Sequence, residues 1–152
     1  MLCAGCHLKL PNNLRFCPNC GQLTSLPIPN FSVSWPTLYN RGCDNFNKGN
    51  ITKAKIYFSQ VIELNSSHQL SWYNLGTILL TENDISQALI HLAMSKQLNA
   101  YHIPTQLNLA ACYVKQNKLM FAIRELRNIL KIDPDNSHAL DALAALKKRK
   151  NT

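Results

Sequence analysis

The sequence repeats with a period of 34 residues, and this period restricts the chain to few folds. If Trp35, Gln69 and Ile103 begin successive copies, residues of one kind recur at the same places. Places 8 and 20 hold small residues and place 24 holds a large apolar one: Gly42, Ala54 and Phe58; Gly76, Ala88 and Leu92; Ala110, Ala122 and Leu126. Such a period is typical of arrays in which each copy is one supersecondary unit that cannot bury its apolar face alone.

Each copy contains two segments with the apolar spacing of an amphipathic helix. In the second copy these segments carry Trp72, Leu75 and Leu79, followed by Ile85, Ala88, Leu89 and Leu92. Turn-forming residues separate the two segments of each copy: Lys48-Gly49-Asn50, Glu82-Asn83-Asp84 and Gln116-Asn117-Lys118. The pattern predicts helical hairpins, and the small residues at places 8 and 20 allow two antiparallel helices to approach closely.

Residues 137–150 begin a fourth copy and then stop. Leu140, Leu143, Ala144 and Leu146 are predicted to form the apolar face of this segment. A terminal helix of this kind covers the end of a stacked array and keeps it in solution. Seven helices are therefore predicted for the chain.

Residues 35–136 resemble the tetratricopeptide repeat (TPR). The resemblance rests on the 34-residue register, on Trp72, Leu75, Gly76 and Ala88 in the second copy, and on Tyr113 and Pro134 in the third. It implies a mainly α fold: three repeats at 35–68, 69–102 and 103–136 in a right-handed superhelix, with a capping helix at 137–150.

The first residues of the chain carry four cysteines in two C-x-x-C pairs: Cys3, Cys6, Cys17 and Cys20. Each pair makes a tight turn that brings two sulfurs to one ion at about 2.3 Å, which suits a closed, structural Zn²⁺ site. Disulfides and a redox-active pair are the alternatives, and the lack of a secretory leader and of a βαβ pattern argues against them.

Residues 1–22 also resemble a short zinc ribbon, in Leu10-Pro11 and in Phe16-Cys17-Pro18-Asn19-Cys20-Gly21, although His7 stands where that family usually has Gly. The resemblance implies a small β unit with Zn²⁺ as cofactor. Residues 23–34, rich in Pro, Ser and Thr, are interpreted as a linker, because prolines at this density prevent a continuous helix.

The TPR resemblance further implies a concave groove lined by the first helix of each repeat. At the groove-facing places the chain has these residues: Tyr39, Cys43, Phe46, Leu70, Tyr73, Thr77, Leu80, Leu107, Ala111, Val114 and Lys115. This lining is mostly apolar, with two tyrosines and one charge, and suits an apolar peptide held by a few aromatic anchors. The alternative is that some of these residues belong to the core between helices.

A chaperone-binding groove is not expected. TPR domains that hold acidic chaperone tails use a clamp of Lys, Asn, Asn, Lys and Arg. The corresponding residues here are Tyr39, Cys43, Asn74, Pro104 and Asn108. Without the cations, a peptide carboxylate lacks its charge-assisted hydrogen bonds.

The sequence shows no Gly-rich phosphate loop, paired carboxylates or Ser-His-Asp arrangement, so no enzymatic activity is expected. The chain is interpreted as a cytoplasmic protein-interaction adaptor that does not span a membrane. The alternative is a nucleic-acid-associated accessory protein, because zinc ribbons are frequent in transcription and translation machinery and the net charge is +8. The basic run Lys147 to Lys150 is either a solvated helix end or a contact for an acidic partner.

Overall fold

The computed structural model describes residues 33–150, and seven helices account for most of them. They are α1 (Trp35–Asn47), α2 (Ile51–Leu64), α3 (Gln69–Thr81), α4 (Ile85–Leu98), α5 (Ile103–Lys115), α6 (Leu119–Ile132) and α7 (Ser137–Lys150). This part of the chain has no strand. The seven predicted helices and the mainly α class are confirmed for it, whereas the predicted zinc ribbon and almost all of the linker lie outside the described residues.

The helix boundaries keep the period of the sequence. The odd-numbered helices begin at residues 35, 69, 103 and 137, and the even-numbered ones at 51, 85 and 119, each 34 residues apart. No helix between residues 33 and 150 has both the length and the apolar character required to cross a bilayer.

Each turn between the two helices of a copy contains one residue in the left-handed backbone region. Gly49 has φ +75°, Asn83 +63° and Asn117 +58°, and these residues are again 34 apart. Gly and Asn are the residues that adopt this conformation at least cost. The turn signals in the sequence therefore lie where the backbone reverses.

The small residues at place 8 lie against the large residues at place 24. A methyl group added at Gly42 would lie 2.6 Å from the ring of Phe58, and one at Gly76 would lie 2.6 Å from Leu92. Ala54, Ala88 and Ala122, at place 20, have no exposed surface. The paired helices thus approach as closely as the sequence pattern predicted.

The chain divides into two compact units, with the boundary inside α3 between Leu75 and Gly76. In the first unit the buried apolar side chains come from α1, α2 and the first half of α3: Leu38, Ala54, Phe58, Val61 and Leu75. In the second unit one apolar cluster joins α5, α6 and α7: Ala110, Ala122, Leu126, Ile129, Ala139 and Leu146. Each unit is described separately below.

The apolar face of α7 agrees only in part with the predicted one. Ala139 and Leu146 are buried, whereas Leu140 is 46% exposed and Ala144 is also exposed. Leu143 has helical spacing both to Leu140 and to Ala139 and Leu146, so the sequence offered two overlapping apolar faces. Leu143 and Leu146 pack in the cluster with α5 and α6 as predicted, together with Ala139 and Ala142, whereas the prediction for Leu140 and Ala144 was wrong.

Candidate functional site: the surface of the odd-numbered helices

The eleven residues predicted to line a groove are all at least partly accessible. In the first unit they lie on α1 and the first half of α3, and in the second on the rest of α3 and on α5. Cys43, Tyr73, Thr77 and Leu80 are half-buried, and Phe46 and Leu70 are exposed. None of the eleven is fully buried, although Leu107 and Val114 also pack against the apolar cluster of the second unit.

In the first unit Tyr39 is held by contacts on several sides. Its ring lies edge-on to His68 at 4.6 Å and tilted against Phe58 at 5.9 Å. Its hydroxyl is hydrogen-bonded to Cys43 and Asn74. Burial raises the pKa of Tyr39, Cys43 raises it further, and the hydrogen bond from Asn74 opposes both effects. Tyr39 is therefore a fixed, neutral aromatic side chain, which suits an anchor in a binding surface.

His68 connects this tyrosine to the start of α3. Its Nδ1 is 2.9 Å from the hydroxyl of Ser71, and its ring is 4.9 Å from that of Trp35. Burial lowers the pKa of His68, so the ring is neutral at physiological pH. The sequence pattern did not point to the stacking of His68 with Tyr39 and Trp35, because only folding brings these three rings together.

In the second unit all four predicted residues of α5 line one apolar hollow of about 410 Å³. These residues are Leu107, Ala111, Val114 and Lys115. Ala110 of α5 and Leu126 of α6 also line this hollow, and α7 contributes Ala142, Ala145 and Leu146. A concave site with apolar walls and few polar groups is the usual form of a binding site for an apolar ligand.

The residues from α7 were missed because residues 137–150 were interpreted as a cap. Ala142, Ala145 and Leu146 have i, i+3, i+4 spacing, which was a usable signal. Spacing alone, however, does not predict which apolar residues of α7 line the hollow. The cap is thus also one wall of the hollow.

The polar groups on this surface are engaged within the protein. The Asn108 side chain donates to the hydroxyl of Thr77 at 2.8 Å, and Lys115 Nζ donates to Asn83 Oδ1 at 3.1 Å. Asn74 and Asn108, at two of the chaperone-clamp places, each bond to a neighbouring side chain. The surface near the hollow therefore offers apolar contacts more than charged ones.

The two cysteines of the described chain differ in environment. Cys112 is fully buried on α5, and burial raises the pKa of its thiol to about 11, so the thiol is protonated at neutral pH. Cys43 is half-buried beside Tyr39. Within residues 33–150, no group of three or more His, Cys, Asp or Glu side chains is placed to hold a metal ion. The four predicted zinc ligands lie outside this range.

Comparison with known proteins defines the class of this fold. The family model described as "Tetratricopeptide repeat" matches residues 36–68. The Arabidopsis OM64 TPR domain superposes with a TM-score of 0.71 at 17% identity, covering 76% of this chain and 95% of that one. Residues 33–150 therefore have the TPR fold that the sequence predicted.

Two further structures extend the comparison. The first TPR of Spaghetti (RPAP3), solved with the HSP90 peptide SRMEEVD, has a TM-score of 0.73 at 15% identity, covering 78% of this chain and 94% of that one. MamA has a TM-score of 0.74 at 18% identity, and the match covers 78% of this chain and 69% of that one. Comparison with curated proteins gave no match. At these identities the likeness concerns the fold.

Proposed function

We propose that this protein is a non-enzymatic adaptor that binds an apolar segment of a partner protein on the surface of its odd-numbered helices. The observation that carries the proposal is the hollow between α5, α6 and α7, which four residues selected from the sequence line together. Tyr39, Phe46, Leu70 and Tyr73 provide the aromatic and aliphatic contacts of the first unit.

The comparisons support a peptide as the type of ligand. The Spaghetti domain was solved with an acidic chaperone peptide, and the second TPR domain of human RPAP3 with the HSP70 peptide SGPTIEEVD. In this chain the clamp places hold Tyr39, Cys43 and Pro104 instead of cations and an amide. We therefore expect an apolar segment as ligand and no clamp for an acidic chaperone tail.

The N-terminal cysteines add a second part to this proposal. Cys3, Cys6, Cys17 and Cys20 have the spacing of a closed tetrahedral zinc site, and four thiolates leave no open position for catalysis. The ribbon, at 1–22, would provide a rigid second recognition surface. Two binding surfaces on one chain raise avidity through effective concentration.

The test is selection of binders from a random peptide display library on the full chain, with titration of the recovered peptides. Ala111→Glu places a carboxylate in the hollow, and Ala144→Glu makes the same change on the exposed stripe of α7. Recovered peptides rich in apolar residues should lose about tenfold or more in affinity for A111E and stay within about twofold for A144E.

Two outcomes would contradict the proposal. Equal affinity for A111E and the unchanged chain would exclude the hollow as the binding site. Tight binding of nucleic acid that falls steeply with added salt, without apolar peptides being recovered, would instead favour the nucleic-acid-associated alternative.

A further inference from the structure

A second surface, independent of the proposed groove, lies on the outer side of α6. Ala122, Leu126 and Ile129 of this helix are buried. The opposite side presents five residues, here called the α6 basic face: Met120, Phe121, Arg124, Arg127 and Lys131. With Ile123 and Asn128 they line a shallow hollow of about 390 Å³.

The charges of the α6 basic face are not balanced on the helix. The only carboxylate of α6 is Glu125, which is 2% exposed and pairs with Lys96 of α4 at 2.5 Å. Arg124 lies 3.6 Å from the other oxygen of Glu125 and keeps 59% of its side chain exposed. Arg127 and Lys131 are exposed, so three cations face solvent without an exposed acid on the helix.

The fold does not require cations at these places. Arg124, Arg127 and Lys131 occupy places 22, 25 and 29 of the third copy. The same places hold Ile90, Ala93 and Gln97 on α4 and Ile56, Ser59 and Glu63 on α2. Because α2 and α4 form without three cations at these places, helix formation does not explain the cations of α6.

Apolar side chains lie beside the cations and are not covered. Met120 is 67% exposed and Phe121 is 45% exposed. The Arg124 guanidinium lies 5.1 Å from the centre of the Phe121 ring, which in turn packs at 5.4 Å against Tyr113 of α5. Phe121 and Arg124 are thus held in position before any partner arrives, which lowers the entropy lost on binding. The α6 basic face therefore offers apolar contact area directly beside its three cations.

We propose that the α6 basic face is a docking site for an acidic amphipathic helix of a partner protein. Arg124 and Lys131 are seven residues, or about 10 Å, apart along the axis. Carboxylates spaced i, i+3, i+7 on a second helix would match the three cations, and each planar guanidinium group can donate two parallel hydrogen bonds to one carboxylate. An apolar residue between these carboxylates would cover Met120 and Phe121.

The probe is a fluorescein-labelled synthetic helix of roughly 18 residues with Glu on one stripe and Leu beside it, together with a copy in which Gln replaces every Glu. Binding to the full chain is measured by fluorescence anisotropy. The Glu peptide should bind, and the Gln peptide should bind at least about tenfold more weakly, because each pair contributes modestly and three act together.

Two matched variants locate the site. Arg124→Gln, Arg127→Gln and Lys131→Gln together should lower affinity for the Glu peptide about tenfold or more. The control variant replaces three exposed lysines outside α6 by Gln: Lys48, Lys53 and Lys147. This variant should change affinity for the Glu peptide by less than about threefold. Circular dichroism checks that both variants keep their helices, and A111E should leave this binding unchanged.

Several outcomes would overturn the inference. Equal losses in the two triple variants would show that only net charge is sensed. Binding that is equal for the Glu and Gln peptides would remove the role of the cations. Anionic vesicles or duplex nucleic acid binding more tightly than the peptide, with the same dependence on α6, would assign the face to that other partner.

Discussion

At the residue scale, the contact between places 8 and 24 sets how closely the two helices of a copy pack. Gly42 and Gly76 leave no room for a methyl group beside Phe58 and Leu92. In the third copy the same two places hold Ala110 and Leu126, which are buried in one apolar cluster, so an alanine is accepted there. The requirement for a small residue was visible in the sequence, whereas the size of the tolerated group depends on the actual separation.

Replacement of Gly42 by Ala should destabilise the protein by about 1–2 kcal/mol. The added methyl group overlaps the Phe58 ring, and this cost exceeds the gain in helix propensity of roughly 1 kcal/mol. Urea unfolding followed by circular dichroism measures the difference.

The double variant Gly42→Ala, Phe58→Leu is the control for this mechanism. It reproduces the Ala–Leu pair of the third copy, so its free-energy loss should be smaller than the sum of the two single losses. Additive losses would show that the close contact is not the cause.

The last place of each repeat, just before α3, α5 and α7, holds a polar side chain. The residues there are His68, His102 and Asn136. His102 Nδ1 lies 2.7 Å from the hydroxyl of Thr105, and Asn136 Oδ1 accepts a hydrogen bond from the backbone of Ala139 at 3.1 Å. Asn136 therefore caps α7 directly, whereas His102 contacts the first turn of α5 through the side chain of Thr105.

Stability should fall as the pH is lowered through the range where histidine titrates. Burial lowers the pKa of His68, His91 and His102 below the ordinary value of 6.5. The unfolded chain then binds more protons than the folded chain, so this stability is complete above pH 6.5 and is lost as the pH falls below it. The measurement is the melting temperature at about pH 7.5 and about pH 5.5.

His102→Asn provides the matched variant, because Asn136 occupies the equivalent place. It should retain the helix start at neutral pH and show a smaller drop in melting temperature on acidification. An unchanged pH dependence would mean that His102 does not contribute.

At the element scale, helix number and boundaries followed from the period, but the orientation of α7 did not. The segment carries two apolar stripes with helical spacing, and the α5–α6 pair covers the one with Ala139 and Leu146. A small residue at position 139 fits against α6, where Ala122 and Ile129 are also fully buried. With this packing, α7 also forms one wall of the hollow between α5, α6 and α7.

Ala139→Asp should destabilise the chain by about 3 kcal/mol or more, because it places a carboxylate at a fully buried position without a partner. Ala144→Asp makes the same change on the exposed stripe and should cost less than about 0.5 kcal/mol. Thermal unfolding and amide exchange of α7 measure both variants. If A144D were the more damaging one, the stripe buried in the structure would be the wrong one.

At the scale of the whole molecule, the chain combines a repeat array with a predicted zinc ribbon. We expect about one zinc ion per chain, bound by Cys3, Cys6, Cys17 and Cys20, and loss of that zinc in the Cys17→Ser, Cys20→Ser double variant. Metal content is measured on the purified protein by atomic emission, with Cys43→Ser as the matched control. Full zinc content in the double variant would contradict the assignment of the ligands.

The sequence by itself determined the number of helices, the period of their boundaries, the turns with Gly49, Asn83 and Asn117, and the small residues at the helix contacts. These features are local or repeat along the chain, so spacing and backbone preference are enough to predict them. Only the tertiary structure decided which stripe of α7 is buried, that α7 completes the hollow beside α5, and that Tyr39, Trp35 and His68 pack together. Such choices depend on the shape of neighbouring helices, because two apolar stripes of equal spacing differ only in what they fit against.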